Sequence, residues 1–276
     1  MKKTFKKIGI ILGSIGVFSI FTYNLPVSVK VAEAIAAAVF KFKLPPPPPN
    51  RGIAGNRVGG ASRISSKDPT NEGTNSDRHL TALVPEYRNS VGSEITKVWG
   101  LTTNEYPTLY FYIPYTKKSI SHIDFIIADG DNLEHRTVYR DVILSPKYPG
   151  IINFSLPQTS APLKIDKLYQ WELKLTMNRQ LDKEISVKGW IQRSGLNSDS
   201  IDSTGGRLAQ RIKQESPNRQ AAFYAENGFW YDALATLAEL RIQRPKDLAI
   251  IEDWNNILKS VNLGKLANKP FVKSGY

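Results

Sequence analysis

Hydrophobic and polar residues alternate with a period of two between residues 80 and 193, a pattern typical of β-strands with one buried face. In one such segment Trp171, Leu173, Leu175 and Met177 share a face, and polar residues occupy the positions between them. Turn-forming residues recur roughly every eight to twelve positions, as they do in β-sandwiches. The pattern predicts strands at residues 80–85, 109–115, 120–129, 136–144, 151–156, 169–177 and 185–193. The expected fold of this region is an antiparallel immunoglobulin-like β-sandwich.

Further along the chain, the apolar positions take up the period of an α-helix. Ser216 is predicted to cap a first helix with its side chain, and Pro217 fills the first turn, where no N–H group is needed. A second helix is predicted to stop before Pro245, and a third to begin after Asp247. Residues 207–264 are therefore expected to form a small module of stacked antiparallel helices.

The helical module also has the spacing of one tetratricopeptide repeat, in which small residues let paired helices approach and a proline closes the unit. The positions that follow this spacing are Ala221, Tyr224, Gly228, Trp230, Ala233, Leu237 and Pro245. A single repeat cannot bury its own faces, so we expect flanking helices or the sandwich to cover it. Such repeats usually bind peptides, and the alternative is a packing role without a groove.

The N-terminus has four lysines within its first seven residues, followed by an apolar run over residues 8–23. This order is typical of a secretory signal peptide, and Ala32-Glu33-Ala34 offers a cleavage pattern. We therefore expect residues 1–34 to direct export to the periplasm or cell envelope. An uncleaved N-terminal anchor stays open as an alternative, because apolar residues continue beyond the first run.

Two segments have the composition of linkers. Five consecutive prolines at 45–49 predict a stiff polyproline II rod, and the Gly, Ser, Asn and Asp residues that follow predict disorder. Residues 194–206 are similarly rich in Asn, Asp, Ser and Gly. The expected organisation is a signal peptide or anchor, a disordered linker, the sandwich, a second linker, the tetratricopeptide-like module and a tail, at residues 1–34, 35–79, 80–193, 194–206, 207–264 and 265–276.

Charge and cysteine content narrow the function classes. The chain carries a net charge of +12, which would suit nucleic-acid binding if the basic residues were clustered on a folded surface. Most of this charge belongs to the predicted signal and linker segments, so we expect no nucleic-acid partner. The chain contains no cysteine, which excludes disulfides, thiolate metal sites and thiol catalysis.

No arrangement of residues predicts a reaction. The three histidines, His79, His122 and His135, lie at no metal-binding or catalytic spacing. The run Asp129-Gly130-Asp131-Asn132 could form a calcium loop, and Asp129 with Asp131 could serve as the carboxylate pair of a glycosidase. An Asp-Gly sequence between two strands favours a hairpin turn instead. We predict no catalytic residue, no cofactor and no metal, and we leave open whether the protein is an enzyme.

Aromatic residues are the candidate contacts with a partner or a glycan. Tyr110 and Tyr112 share one face of a predicted strand, and Trp190 lies among polar residues of another. Tyr231 and Trp254 add aromatic groups on the helices. The alternative is that all five pack between the sandwich and the helical module.

Several longer motifs of the chain resemble a cyanobacterial secreted family known as domain of unknown function 928. They are the segments 45–51, Gly59-Gly60-Ala61-Ser62-Arg63, 80–85, Tyr112-Ile113-Pro114-Tyr115, Gly189-Trp190-Ile191, 224–228 and Trp230-Tyr231-Asp232-Ala233-Leu234. The resemblance implies export in a cyanobacterium and implies no activity.

The function expected from the sequence is that of a non-enzymatic binding or scaffold protein of the envelope or periplasm. Its partner would be an envelope protein or a glycan, with membrane contact only through the N-terminal segment if that is uncleaved. The alternative is a carbohydrate-binding module or a glycan-directed enzyme.

Overall fold

The computed structural model describes residues 42–43, 45, 55–59, 77–88, 96–131, 137–143, 149–178, 184–195, 210, 212 and 214–272. All of them belong to one unit of the chain, Ala37–Tyr276. The predicted signal segment, four of the five consecutive prolines and nearly all of the second linker lie outside the described residues.

Ten β-strands occur in the described part of the chain. They are β1 Val58–Gly59, β2 Leu80–Ala82, β3 Glu86–Arg88, β4 Thr96–Thr102, β5 Thr108–Ile113, β6 Ile120–Asp129, β7 Thr137–Ile143, β8 Gly150–Ser155, β9 Leu168–Met177 and β10 Glu184–Arg193. All seven strands predicted from the alternation are present, with ends shifted by a few residues. The unpredicted strands are β1 and β3, which are very short, and β4, which contains Gly100, a residue type depleted in strands.

The strands form two sheets, with the orders β1-β2-β5-β8 and β3-β4-β10-β9-β6-β7. Neighbours pair antiparallel except β4 and β10, which run parallel from the pair Trp99 and Trp190 onward. The prediction of a wholly antiparallel architecture is therefore wrong at this pair. The reason is that β4 and β10 are distant in the sequence, and such strands can meet in parallel through a long crossover.

Aromatic side chains between the two sheets form the centre of the core. The ring of Phe111 on β5 lies 5.5 Å from Trp171 on β9 and 6.1 Å from Phe125 on β6, both edge to face. Phe125 and Phe154 stack at 5.3 Å. Edge-to-face and offset ring pairs of this kind add stability beyond the apolar area that they bury.

Three α-helices with described bounds follow the strands, namely α1 Pro217–Glu226, α2 Trp230–Gln243 and α3 Leu248–Ser260. Their positions confirm the helical prediction, and Asp247 caps α3 by accepting hydrogen bonds from the N–H groups of Ala249 and Ile250. The predicted side-chain cap at Ser216 is wrong, because its hydroxyl makes no capping bond. The helix is instead started by Pro217, whose fixed φ suits the first turn. The described protein is thus mixed β plus α, and mostly β.

The helices pack directly on the sheets. Trp230 at the start of α2 is fully buried and donates its indole N–H to the carbonyl of Leu83 at 2.8 Å. Tyr231 and Trp254 belong to the same buried cluster as Phe111 and Trp171. Sheets and helices therefore share one hydrophobic core.

Asp253 on α3 is a carboxylate inside this packing. Asp253 is only 7% exposed, and its Oδ1 atom has no hydrogen-bond partner. Burial raises the pKa of Asp253 to about 6, and the negative charges of Glu252 and Asp247 add to that rise. The unfolded chain loses this proton at a lower pH than the folded protein does. Ionisation of Asp253 therefore lowers the free energy of unfolding.

Asp253→Asn is expected to raise the free energy of unfolding above about pH 7 by about 1–3 kcal/mol, because it removes a charge that is buried without a partner. In the wild type, the stability contribution of the neutral carboxyl is fully present below the ordinary pKa of 3.8 and is lost as the pH rises through about 6. Urea denaturation across this range would show the wild type losing stability relative to the variant. Glu226→Gln, at an exposed carboxylate on α1 that is not among the charges raising the pKa of Asp253, is the control, and equal pH profiles of all three proteins would contradict the prediction.

Candidate polar cleft

A polar cleft of about 160 Å³ lies where the connection between β4 and β5 faces α1 and α2. Hydrogen-bonding side chains form most of its wall: Thr102, Asn104, Thr108, Tyr224, Asp232, Thr236 and Glu239. The strand residues and the helix residues are more than a hundred positions apart in the sequence, so only the packed fold creates the cleft.

Short hydrogen bonds shape the β4–β5 side of the cleft. The N–H group of Asn104 donates to the hydroxyl of Thr102 at 3.0 Å, and the N–H group of Tyr106 donates to Oδ1 of Asn104 at 2.9 Å. Such side-chain bonds to the backbone two residues away stabilise tight turns. The Asn104 amide is thereby held in a defined position on the cleft wall.

Asp232, the third residue of α2, joins the helix to this turn. Thr103 donates its backbone N–H to Oδ2 of Asp232 at 3.0 Å and its hydroxyl to Oδ1 at 2.7 Å. A carboxylate in the first turn of a helix is also favoured by the helix dipole. These contacts fix both the start of α2 and one acidic group of the cleft.

The electrostatic field in the cleft is negative. Burial raises the pKa of Asp232, and the hydrogen bonds from Thr103 oppose that rise because they stabilise the ionised form. Burial likewise raises the pKa of Tyr224 and Tyr110, and the charges of Asp232 and Glu239, respectively, add to these rises. No lysine or arginine occurs among the described residues that line the cleft.

The size of the cleft limits what it can hold. Pockets that enclose a whole small-molecule ligand measure about 300–1,000 Å³. The cleft is therefore suited to one polar end group of a larger partner, and its acceptor oxygens and negative field favour a group that donates hydrogen bonds.

Two of the predicted contact residues, Tyr110 and Tyr112, lie beneath the C-terminal segment. They are 4% and 5% exposed. The ring of Phe271 meets Tyr110 edge to face at 6.5 Å, and the Lys269 ammonium lies 5.3 Å from the centre of the Tyr112 ring. In this arrangement they are covered by the chain itself and do not form an exposed platform.

The other three predicted contact residues also lie in the interior. Tyr231 accepts a hydrogen bond from the indole N–H of Trp171 at 2.8 Å and donates to the carbonyl of Trp190 at 3.1 Å. Trp190 packs in a small separate cluster with Trp99, and Trp254 donates to a backbone carbonyl near the C-terminus. Of the five, only Tyr231 also lines the cleft.

The carboxylate of Asp129 in the acidic hairpin has partners within the chain. Lys167 pairs with Oδ2 of Asp129 at 2.6 Å, and the backbone N–H of Asp131 donates to Oδ1. The searched residues, which are those that the structure describes, contain no group of three or more His, Asp or Glu side chains that could hold a metal ion. Asn132, the last residue of the calcium alternative, lies outside them.

Apart from Tyr231, the residues that line the cleft are not among the contacts predicted from the sequence. Asp232, Thr236 and Glu239 are spaced four and three residues apart, which places them on one helix face, and this signal was available. The sequence does not predict that this helix face lies opposite the connection at Thr103 and Asn104, because it does not predict β4.

No helix of the described residues is long and apolar enough to cross a membrane. The predicted N-terminal signal or anchor lies outside the residues to which this finding applies.

Together, the fold and the cleft define a mostly β protein with a helical region and a small acidic cleft at their junction. The chain belongs to the family described as Domain of Unknown Function (DUF928), whose family model matches residues 58–271. This match confirms the family resemblance, whereas cyanobacterial origin and export stay predictions. No curated protein and no solved structure matches the chain significantly.

Proposed function

We propose that the protein is a non-enzymatic binding protein of the periplasm or cell envelope, and that the polar cleft receives a basic side chain of a partner protein. The observation that carries the proposal is the acidic lining of a cleft with room for a single end group. Export, which the N-terminal sequence predicts, supplies the compartment.

Recognition would rest on two carboxylates with different roles. Asp232 is held by Thr103, which fixes the position of its carboxyl group on one side of the cleft. Glu239 is exposed at its rim and can pair directly with an incoming ammonium or guanidinium group. The side-chain oxygens of Asn104 and Thr236 are suited to accept the remaining hydrogen bonds of that cationic group.

The rest of the molecule would serve as the scaffold. We propose that the two sheets form an immunoglobulin-like sandwich and that the helices form a tetratricopeptide-like module. The ring contacts of Phe111 with Phe125 and Trp171 support the first, because they join residues of two sheets face to face. The close packing of α1, α2 and α3 over buried alanines and aromatic residues supports the second.

Carbohydrate binding is the second candidate. The observation that favours it is the number of neutral hydrogen-bonding groups in the cleft, among them Asn104, Thr108 and Thr236, which could pair with sugar hydroxyls. The same lining contains two carboxylates, which neutral sugars do not require. A cation is therefore favoured over a sugar.

The test is a binding series with small probes on the full chain. Methylguanidine and ethylammonium represent the basic end groups, glucose represents a sugar, and acetate represents an anion. Ligand-observed NMR titration is expected to detect the two cations and not acetate. Glu239→Gln should weaken cation binding about twofold to fivefold, the range of an exposed ion pair, and Glu239→Lys should weaken it further.

Glu252→Gln and Glu252→Lys are the matched controls, since Glu252 is an exposed glutamate on α3 outside the cleft. Equal losses in the Glu239 and Glu252 variants would indicate attraction to the protein as a whole and would contradict the proposed site. Binding of glucose that survives Glu239→Lys would favour the carbohydrate candidate.

A further inference from the structure

A segment ahead of the strands is docked on the turn between α1 and α2. The backbone N–H of Lys43 donates to the carbonyl of Ala225 in the last turn of α1 at 3.0 Å. The ring of Phe42 meets the ring of Trp230 edge to face, with centres 4.8 Å apart and planes at 75°. We call Phe42, Lys43 and Pro45 the docking arm.

Gly228 at this turn makes room for the docking arm. A Cβ atom at Gly228 would lie 3.2 Å from the carbonyl oxygen of Lys43 and 3.3 Å from two ring carbons of Pro45. The φ angle of Gly228 is +83°, a conformation that residues with a side chain rarely adopt. The glycine thus both ends α1 and leaves a surface on which a proline ring lies.

Three features of this surface contact the arm. The carbonyl of Ala225 accepts a backbone hydrogen bond, the ring of Trp230 contacts an aromatic ring, and Gly228 contacts the proline. Aromatic surfaces that hold a proline-bearing chain are a recurrent mode of peptide recognition. All three features belong to the helix pair, so the site does not depend on which molecule supplies the arm.

We propose that the turn between α1 and α2 also binds the docking arm of a second copy of this chain, so that two molecules exchange arms. The arm is joined to the next described segment, 55–59, through residues 46–54, which include four further prolines. The segment 55–59 has its own contacts, with Asn56 paired to the backbone of Lys188. Among the described residues ahead of β1, exchange therefore breaks the contacts of the arm and leaves those of 55–59 in place, and the contacts of the arm form again on the second copy.

The absence of cysteine in the chain allows a direct test with the full chain in a mild detergent. One preparation carries Lys43→Cys, a second carries Asn227→Cys beside Gly228, and a short bis-maleimide joins thiols that lie close together. We expect the mixture to give a covalent heterodimer, with a yield that grows with protein concentration. Phe42→Ala added to the first preparation should lower this yield about tenfold, because it removes the half-buried ring that packs against Trp230.

A third preparation with both substitutions in one chain reports docking within a molecule. The collision control replaces Asn227→Cys by Glu252→Cys, on an exposed surface of α3. Exchange is refuted if the mixture gives no more heterodimer than the collision control, while the doubly substituted chain closes on itself. Failure of the doubly substituted chain to close would also overturn the proposal, because the arm would then not dock at all. Neither result bears on the acidic cleft.

Discussion

Tyr231→Ala is expected to lower the free energy of unfolding by about 3–5 kcal/mol, the range for removing a buried aromatic side chain. Tyr231 is 2% exposed and lies where α2 meets the sheets. Its hydroxyl links β9 to β10 through Trp171 and the carbonyl of Trp190. The substitution would therefore open a cavity and also break the polar contact between helix and sheet.

Tyr231→Phe separates these two effects, because it keeps the ring and removes only the hydroxyl. It leaves the indole N–H of Trp171 without its acceptor in the core, at an expected cost of about 1–3 kcal/mol. Urea denaturation followed by tryptophan fluorescence measures both variants. Tyr115→Phe, at a half-buried tyrosine, is the control, and a Tyr231→Phe protein as stable as this control would contradict the role of the hydroxyl.

Arg57→Met is expected to cost about 3–5 kcal/mol, the range for breaking one side of a buried ion pair. Arg57 is 7% exposed, and its guanidinium lies 3.0 Å from the carboxylate of Glu86. It also donates to the carbonyl of Val261 at 2.8 Å, at the end of α3. This arginine, directly ahead of β1, thereby contacts both β3 and the end of α3.

The second half of this test is the double variant Arg57→Met with Glu86→Leu. If the cost of the single variant comes from a stranded carboxylate, removing that carboxylate should restore most of the stability. Arg219→Met breaks an exposed pair with Glu215 and should change stability by at most about 0.5 kcal/mol. A single Arg57 variant as stable as Arg219→Met would contradict a structural role for the buried pair.

Glycines explain why part of the sheet could not be predicted from the sequence. Gly100 interrupts the alternation of β4, and a Cβ atom there would lie 3.0 Å from the ring of Tyr231 and 3.2 Å from Cβ of Trp230. The glycine is required because α2 packs on the strand at this point. The same residue that hides β4 in the sequence therefore marks a tertiary contact, and that contact depends on residues far away in the chain.

The candidate site shows the same limit. The alternation correctly placed Tyr110 and Tyr112 on one face of a strand, but it carried no information on what covers that face. Phe271 covers Tyr110, and it comes from the opposite end of the described chain. Conversely, the helical spacing of Asp232 and Glu239 was readable, whereas their position opposite the β4–β5 connection follows only from packing.

The packing of helices on sheets is also what creates the proposed function. Thr103 and Asp232 are held together because α2 lies against the end of β4, and the space left beside them is the acidic cleft. A partner that places a basic side chain in this space would contact sheet and helix at once. The stabilisation of the fold by Tyr231 and the recognition proposed for Glu239 thus depend on the same packing of α2 against the sheets.

The most direct measurement is the NMR spectrum of the isotopically labelled full chain during titration with methylguanidine. The account predicts saturable shifts of the amide signals of Asn104, Thr236 and Glu239, with little change at Glu252 on α3. Saturable shifts elsewhere on the protein, or shifts at the cleft that Glu239→Lys leaves unchanged, would contradict the claim that this cleft is the recognition site.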